Sequence, residues 1–453
     1  MKQIRSSLLI PSIVLLITIA ESLQAVPAFA RQTGLECMMC HMQNQTKLGS
    51  FGRQFARSAY TMSSESGSQS LIEGEKIGLG IPLVLNMSVM LKARFDLSDN
   101  MANGKGVVLK TATGEYLDSN RGIYEVFKTS TLNLAGRVAN NVGTIIEFRE
   151  KEGKAIMAGK VSTAYEMGSG YAGLSIFSTN NYGPFSGMEN YNTGLYKALR
   201  QFENHKATNA PQASDMASGA ATGAQVYYAG QNLFLTVGAY VPVHNSDGID
   251  IGGDMIGFAR LAYEQPIGDI TLIVGAYGLS GTATASNTNI DPALSGLVPQ
   301  RLVGIKKDSY GFDMQLEGSI ADTSVLLTAN AVLKNKTTLS DASLMVYDPP
   351  VTPSVTVYGE PEDGDMEAYS VELAVYPWSS FGAKIAYLTL DDKGPHTYEP
   401  DKIDVKDKDA VTLGFDYSFR QNVMFTMEYS MVNTKKVGVE DYNDLLSVLT
   451  ISF

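Results

Sequence analysis

Apolar and polar residues alternate along most of the chain from residue 81 onwards. In residues 411–419, every second position is apolar, and the positions between them hold Thr412, Gly414, Asp416 and Ser418. A period of two is typical of a β-strand with one apolar and one polar face. About sixteen such segments follow one another, as in porin-type barrels. The pattern therefore predicts an all-β fold, a transmembrane antiparallel β-barrel of about sixteen strands.

The connections between these segments are alternately short and long. Asn140-Asn141 and Pro266-Ile267 are short, whereas 179–222 and 280–308 are long. Transmembrane barrels have short periplasmic turns and long extracellular loops, so both chain ends are expected on the periplasmic side. The chain ends at Phe453, and an alternating last strand with a terminal aromatic residue resembles the assembly signal of bacterial outer-membrane proteins.

The polar face of such a barrel should line its interior, because a barrel of this size encloses a lumen rather than a packed core. The parity of the pattern assigns six charged residues to the lumen: Asp313, Glu317, Glu372, Lys384, Asp416 and Glu428. Ordinary pore lining would explain any one of them. A soluble β-sandwich or barrel is the alternative fold, but the polar set is too large to form its core.

Residues 1–30 have the pattern of a secretory signal peptide. Lys2 and Arg5 precede the apolar run Leu8–Ala20, and the segment ends in Ala28-Phe29-Ala30. A basic start, a short apolar core and a small-residue site predict export and cleavage after Ala30. A membrane anchor is the alternative, for which the apolar run is short.

Residues 31–80 form a short segment ahead of the barrel, which we place at residues 81–453. Residues 47–60 are predicted to be helical, with Ser50 as the N-cap and Phe51, Phe55 and Ala59 on one face. So short a segment cannot bury a large ligand alone. We therefore expect it to plug the lumen of the barrel from the periplasmic end.

Both cysteines of the chain lie in this segment, in Cys37-Met-Met-Cys40-His41. C-x-x-C-H is the attachment motif of c-type haem, in which two thiols become thioethers to one porphyrin and the histidine ligates the iron. A zinc site would need further ligands, and a redox dithiol would need a βαβ context. The sequence therefore predicts one haem c, bound through Cys37 and Cys40 with His41 as proximal ligand.

The distal ligand of the haem iron has two methionine candidates. Met62 follows the predicted helix and is preferred over Met90, which faces the lumen by parity. Methionine is also common as plain apolar filler. The three other histidines fall in long connections predicted to be extracellular and are interpreted as surface residues or loop-site metal ligands: His205, His244 and His396.

Arg53 and Arg57 lie one helical turn apart in the predicted helix. They are candidate cofactor-binding residues, because guanidinium groups pair well with the propionates of haem. Pairing with inward carboxylates of the barrel would use the same groups. A solvated helix face is the alternative interpretation of both arginines.

The chain has a net charge of −12, which argues against a nucleic-acid partner and favours a surface that attracts cations. Acidic residues concentrate in three predicted outer connections: Asp247, Asp250 and Asp254; Glu360, Glu362, Asp363, Asp365 and Glu367; and Asp391, Asp392, Glu399 and Asp401. Such oxygen ligands suit Fe(II). Solvation, or divalent ions bridging lipopolysaccharide, is the alternative.

Several short motifs together resemble a known family, the outer-membrane cytochrome–porin fusions of iron-oxidising bacteria. They are Arg31-Gln-Thr-Gly34, Cys37-x-x-Cys-His41, Phe51-Gly-Arg53, Phe55 and Tyr60-Thr61. The motif resemblance covers roughly residues 28–62, and the rest agrees in architecture and in the terminal Phe453. Gln43-Asn-Gln-Thr46 departs from the family, which usually has a proline-bearing stretch there.

This resemblance implies that the chain oxidises extracellular Fe(II) in the outer membrane of a Gram-negative bacterium. Electrons would pass through the single haem to a periplasmic carrier, a c-type cytochrome or a cupredoxin. If the chain is an enzyme, it is an oxidoreductase that oxidises metal ions. Two alternatives stay open: a haem-containing conduit for another extracellular donor or acceptor, and a cation-preferring porin with a haem plug.

Overall fold

The computed structural model describes residues 27–42, 46–63, 71–73, 80–82, 86–98, 122–127, 130–151, 154–243, 254–287, 301–341, 363–393, 407–420, 422–435 and 441–453. Two short strands, β1 (Leu71–Glu73) and β2 (Gly80–Pro82), pair with each other apart from the main sheet. The main sheet contains β3 (Met87–Ser98), β4 (Ile123–Val126), β5 (Thr131–Ala139), β6 (Val142–Lys151), β7 (Lys154–Met167), β8 (Gly170–Thr179), β9 (Ala221–Ala229), β10 (Leu233–Val241), β11 (Ile256–Ile267), β12 (Ile270–Asn287), β13 (Arg301–Ile320), β14 (Thr323–Asp341), β15 (Asp363–Trp378), β16 (Phe381–Asp392), β17 (Lys408–Arg420), β18 (Val423–Thr434) and β19 (Tyr442–Ser452).

These strands form a closed antiparallel barrel, because β19 pairs with β3 from Asp444↔Ser98 to Ser452↔Met90. Strands β4 and β5 pair with different parts of β3, β4 with Ala93–Asp96 and β5 with Met87–Met90. They occupy one position in the barrel, so seventeen strands fill sixteen positions. The predicted fold class and strand number are confirmed.

The two faces of the barrel have opposite character, as the alternation predicts. Outward-facing apolar side chains are largely exposed, including Val226, Leu235, Leu261, Val371, Ile385 and Leu413. Their neighbours along the strands are polar, point into the lumen and are buried, including Gln225, Thr236, Arg260, Glu372, Lys384 and Thr412. An apolar exterior around a polar interior is the arrangement of a transmembrane barrel. No helix in the described ranges is long and apolar enough to cross a bilayer.

The strands agree with the predicted segments to within a few residues, except where a long connection was expected. β13 begins at Arg301, although the sequence alternates clearly only from about residue 309, and β12 runs on to Asn287. These extensions pair with each other, from Asn287↔Arg301 towards the middle of the barrel. Backbone pairing with a neighbouring strand thus carries β12 and β13 beyond the apolar alternation.

The connection between β8 and β9 differs from its prediction. It was expected as an extracellular loop, but residues 180–220 fold into the lumen and are called the inner loop here. Met188, Tyr191 and Leu195 of this loop are fully buried. Its backbone contacts opposite walls of the barrel: Lys160 Nζ donates to Ser186 O (3.1 Å), Ala210 N donates to Ser370 Oγ (2.9 Å), and Glu203 N donates to Glu428 Oε1 (2.8 Å). The inner loop thus supplies hydrogen-bond partners to polar groups of the barrel wall.

The N-terminal segment lies inside the barrel and packs against the inner loop. It contains three short helices, α1 (Pro27–Thr33), α2 (Cys37–Cys40) and α3 (Ser50–Arg57), and a fourth, α4 (Ala210–Ala213), belongs to the inner loop. Helix α3 starts at Ser50, with Gly49 rather than Ser50 as the N-cap residue. Two hydrogen bonds join Leu48 to the Asn192 side chain (2.8 and 2.9 Å). The N-terminal segment and the inner loop therefore fill the lumen together.

Helix α1 spans the predicted signal-peptide cleavage site after Ala30. Phe29 stacks on Tyr60 with ring centroids 5.2 Å apart and meets Phe55 edge-on at 5.0 Å. Just beyond the site, the Gln32 side chain donates to Tyr60 O (2.6 Å) and accepts from Arg137 N (2.9 Å). Cleavage after Ala30 would remove the Phe29 contacts and keep those of Gln32, which tie the new N-terminus to the barrel wall.

Candidate haem site

The cysteine motif forms one helical turn, α2, that presents its two thiols on the same side. Cys37 is buried and Cys40 is partly buried, and the two cysteines are not joined to each other. Met38 and Met39, between them, are 41% and 55% exposed. The two cysteines are expected on one side of the turn and the methionines on the other, because positions i and i+3 of a helix share a face. The turn closes with His41 N donating to Cys37 O (2.8 Å).

A cavity of about 770 Å³ inside the barrel adjoins this turn. Its volume lies in the range of small-molecule and cofactor sites, about 300–1,000 Å³. Cys37, Cys40 and His41 all line it. The N-terminal segment, the barrel wall and the inner loop each add apolar cover: Leu35 and Phe55; Ala135 and Ile145; Tyr196 and Leu199.

The imidazole of His41 is held in its neutral form. The ring faces the cavity, and its Nδ1 atom is buried with no hydrogen-bond partner in the described part of the chain. Burial lowers the pKa of His41 to about 4, and the backbone of Lys47 raises this pKa by a smaller amount. A neutral imidazole is the form that ligates a metal.

The thiol of Cys40 differs from that of a redox-active dithiol. Burial, together with the neighbouring Cys37, raises the pKa of Cys40 to about 11. Reactive C-x-x-C motifs have the opposite shift, because the thiolate is their nucleophile. The raised pKa therefore argues against a role of Cys40 in thiol–disulfide exchange.

Several cationic side chains also line the cavity. Glu203 accepts from Lys92 at 2.7 Å and from Arg200 at 2.6 Å, so these three groups are mutually paired. Lys197 is the exception: burial and the nearby Arg200 and Arg149 lower its pKa to about 7. The Nε atom of Arg149 lies 3.9 Å from Glu147 Oε1 but is buried without a hydrogen bond among the described residues. An anionic group in the cavity would satisfy both Lys197 and Arg149.

Arg53 and Arg57 do not line the cavity. Arg53 is fully buried and contacts Glu264 (2.7 Å) and Glu317 (2.6 Å), while Arg57 contacts Glu264 at 3.0 Å. The structure thus brings both arginines to inward carboxylates of the barrel. Their role in this arrangement is to hold helix α3 in the lumen.

The two methionine candidates lie in different surroundings. Met62 packs against the cluster of Phe55, Ala56 and Tyr60 and does not line the cavity. Met90 lines it from strand β3, with the inward orientation that parity predicts. Of the two, only Met90 faces the space next to the cysteine motif.

His205 also lines the cavity, contrary to the sequence-based expectation of a surface residue. It lies in the inner loop, whose entry into the lumen the alternation pattern does not reveal. The pKa of His205 is held well below its usual range by burial and then by the nearby Lys197, Arg200 and Lys206. The only sequence signal was that this histidine sits in the longest connection with a mixed apolar and amide composition. His244 and His396 lie outside the described residues.

Half of the acidic residues proposed for Fe(II) lie outside the described residues, at positions 247, 250, 360, 362, 399 and 401. Among those described, Glu367 pairs with Lys393, and Asp391 pairs with Lys435 at 2.7 Å. The described ranges contain no group of three or more histidine, cysteine, aspartate and glutamate residues arranged to hold a metal ion. Fe(II) binding at these loops stays a prediction.

Gly52 fixes the distance between helix α3 and the cysteine motif, which predicts a large effect of Gly52→Ala. A Cβ at Gly52 would lie 2.0 Å from Cys40 O, whereas a Cβ at Gly49 would lie 3.8 Å from the same atom. We expect the clash to cost roughly 1–3 kcal/mol, more than the ~1 kcal/mol that alanine gains over glycine in a helix. Limited proteolysis should cut the N-terminal segment of Gly52→Ala faster than that of the parent. Equal rates for Gly52→Ala and the control Gly49→Ala would refute this packing.

Comparison with known proteins adds only structural likenesses. No family model and no curated protein matches the chain. Similar solved structures include OmpT of Vibrio cholerae (11% identity, 85% of this chain and 100% of that chain, TM-score 0.45) and the outer membrane channel DcaP of Acinetobacter baumannii (13%, 84% and 100%, 0.45). An anion-selective porin from Comamonas acidovorans is a third (12%, 82% and 99%, 0.44). Likenesses at this level carry no conclusion about function, and the barrel architecture rests on the strand pairing described above.

Proposed function

We propose that the chain is an outer-membrane electron-transfer protein with one haem c held inside its barrel. The observation that carries this proposal is that both thiols and the histidine of the C-x-x-C-H turn line one cavity in the lumen. Cys37 and Cys40 would hold the porphyrin as thioethers, and His41 would be the proximal ligand of the iron. Phe55, Ile145 and Leu199 would cover its apolar face, while Arg149 and Lys197 would pair with its propionates.

The membrane placement follows from the apolar exterior of the barrel. Closed antiparallel barrels with this character span outer membranes, with short turns on the periplasmic side. The N-terminal segment contacts the barrel near its short turns: Arg57 binds Glu264, whose backbone carbonyl accepts from the side chain of Asn232 in the β9–β10 turn (2.7 Å). The haem segment would therefore lie towards the periplasm, within reach of a soluble electron carrier.

The reaction we propose is oxidation of extracellular Fe(II) to Fe(III), with the released electron passed to a periplasmic c-type cytochrome or cupredoxin. Haem c, when bound, supplies a one-electron couple. The residues of the chain position it, exclude water from its apolar face and compensate the charge of its propionates. Another extracellular donor or acceptor would use the same site, so the donor is the part of the proposal that needs a direct test.

A cation-preferring porin with a haem plug is the second candidate. The barrel fold supports it, but the filled lumen favours electron transfer. Arg260 in the wall is fully buried between Glu189 of the inner loop and Asp313 (2.6 Å), and Lys384 is buried between Asp416 (2.8 Å) and Glu428 (3.1 Å). Arg260 holds the inner loop to the wall through Glu189, and Lys384 holds it by donating to Gln201 O (3.1 Å).

Anaerobic mixing of the purified, oxidised protein with Fe(II) tests the proposed donor. We expect prompt reduction of the haem, visible in its absorbance, because a haem that accepts electrons from Fe(II) must have a suitable reduction potential. The control is dithionite, which should reduce the haem regardless of donor specificity. Reduction by dithionite without reduction by Fe(II) would exclude Fe(II) and favour the conduit with another partner.

A further inference from the structure

We infer that His205 of the inner loop is the distal axial ligand of the haem iron, so that the site is a bis-histidine site. This inference rests on the proposed haem at Cys37 and Cys40. Its basis is that His41 and His205 line the same cavity, one from the cysteine motif and one from the inner loop.

The ring of His205 is oriented as metal-binding histidines usually are. Its Nδ1 lies 3.1 Å from the backbone carbonyl oxygen of Glu203. A carbonyl can only accept, so Nδ1 carries the proton and Nε2 keeps its lone pair. Nε2 makes no hydrogen bond within the described ranges. Such a backbone contact to the second ring nitrogen is the usual way in which proteins fix the tautomer of a ligating histidine.

The backbone that holds His205 is itself fixed to the barrel wall. Glu203 N and Asn204 N donate to the two carboxylate oxygens of Glu428, each at 2.8 Å. The Asn204 side chain donates to Ser430 Oγ (3.0 Å), and Asn209 N donates to His205 O (3.1 Å). A ligand must be held within a fraction of an ångström, and these bonds supply that support.

The inner loop and the haem segment are also joined directly. Thr46 Oγ1 donates to Arg200 O (2.8 Å), and Lys47 Nζ donates to Asn192 O (2.8 Å). Thr46 and Arg200 are each five residues from one of the two histidines. The two histidines therefore belong to one packed unit.

Met90 is the competing ligand, because it lines the same cavity from β3. A thioether has no second atom to be oriented, and Met90 serves equally well as apolar cover. The two alternatives differ in consequence: histidine in place of methionine lowers the reduction potential of a c-type haem. A lower potential makes the haem a better electron donor to the periplasmic carrier and a weaker oxidant of its own donor.

The test uses the full-length purified protein and three variants: His205→Ala, His205→Met and the control Met90→Leu. Haem content is first measured by mass after denaturation, since covalent haem survives it. We expect the oxidised parent and Met90→Leu to have the low-spin spectra of six-coordinate iron. His205→Ala should lose this spectrum and regain it when imidazole is added, and His205→Met should keep a low-spin haem at a higher potential.

The outcomes separate the inference from the proposed function. A parent protein without covalent haem would refute the proposed function itself. A haem-loaded His205→Ala with an unchanged low-spin spectrum would overturn only the distal-ligand inference. Loss of the low-spin spectrum in Met90→Leu instead would identify Met90 as the ligand. Rescue by imidazole excludes misfolding as the cause of the change in His205→Ala.

Discussion

Replacement of both Cys37 and Cys40 by serine is expected to leave the protein without covalently bound haem. Thioether bonds to the porphyrin need the two sulfur atoms, and serine cannot form them. Haem staining after denaturing electrophoresis, and the mass of the intact chain, should both show complete loss of the attached group.

The matched control is Met38→Leu with Met39→Leu, in the same helical turn. These side chains are 41% and 55% exposed and point away from the cavity that the cysteines line. Leucine preserves their size and apolar character, so the control should retain its haem. Staining that persists in the double serine variant would show that the C-x-x-C-H motif is not the attachment site.

The barrel could be predicted from the sequence because its strands obey one simple rule. Alternation identified the inward side of Asp313, Glu372 and Lys384, and all three are buried on the lumen side. Their partners could not be predicted in the same way. The three charged residues were expected to line a pore. Instead, Glu372 accepts from Thr328 (3.0 Å) and Asp313 binds Arg260, in a lumen filled by the inner loop.

The cysteine motif was recognisable because its chemistry is local: five consecutive residues supply all the attachment groups. The distal side of the site is different. His205 is separated from His41 by more than 160 residues, and no periodicity or spacing links the two positions. Only the closure of the barrel and the entry of residues 180–220 into the lumen bring them to one cavity. Non-local contacts of this kind leave no trace in a one-dimensional pattern.

The same distinction applies to Arg53 and Arg57. The sequence placed them on one helix face and allowed haem propionates, barrel carboxylates or solvent as partners. Which partner the arginines take depends on which strands lie opposite helix α3. These strands are β11 and β13, and their register brings Glu264 and Glu317 to the helix. Two buried carboxylates beside one another also require a cation, because unpaired charges in such a site are costly.

Arg53→Ala is expected to release the N-terminal segment and open the lumen to ions. Arg53 is fully buried between Glu264 and Glu317, and its loss leaves one of these carboxylates without a cation. Removal of one partner of a buried ion pair costs about 3–5 kcal/mol, which lowers the equilibrium constant for docking of the segment by roughly two to four orders of magnitude.

The measurement is ion conductance across a planar bilayer, which should be small for the parent protein and rise in Arg53→Ala. Lys393→Ala is the control: it removes an ion pair with Glu367 that is largely solvent-exposed, and such pairs contribute about 0–1 kcal/mol. Because the haem would stay attached through Cys37 and Cys40, haem staining can verify that the variant still carries its N-terminal segment. Conductance of Arg53→Ala equal to that of Lys393→Ala would mean that other contacts, such as those of the inner loop, are sufficient to close the barrel. A parent that already conducts strongly would favour the porin, since a haem that fills the lumen and an open path for ions cannot occupy the same space.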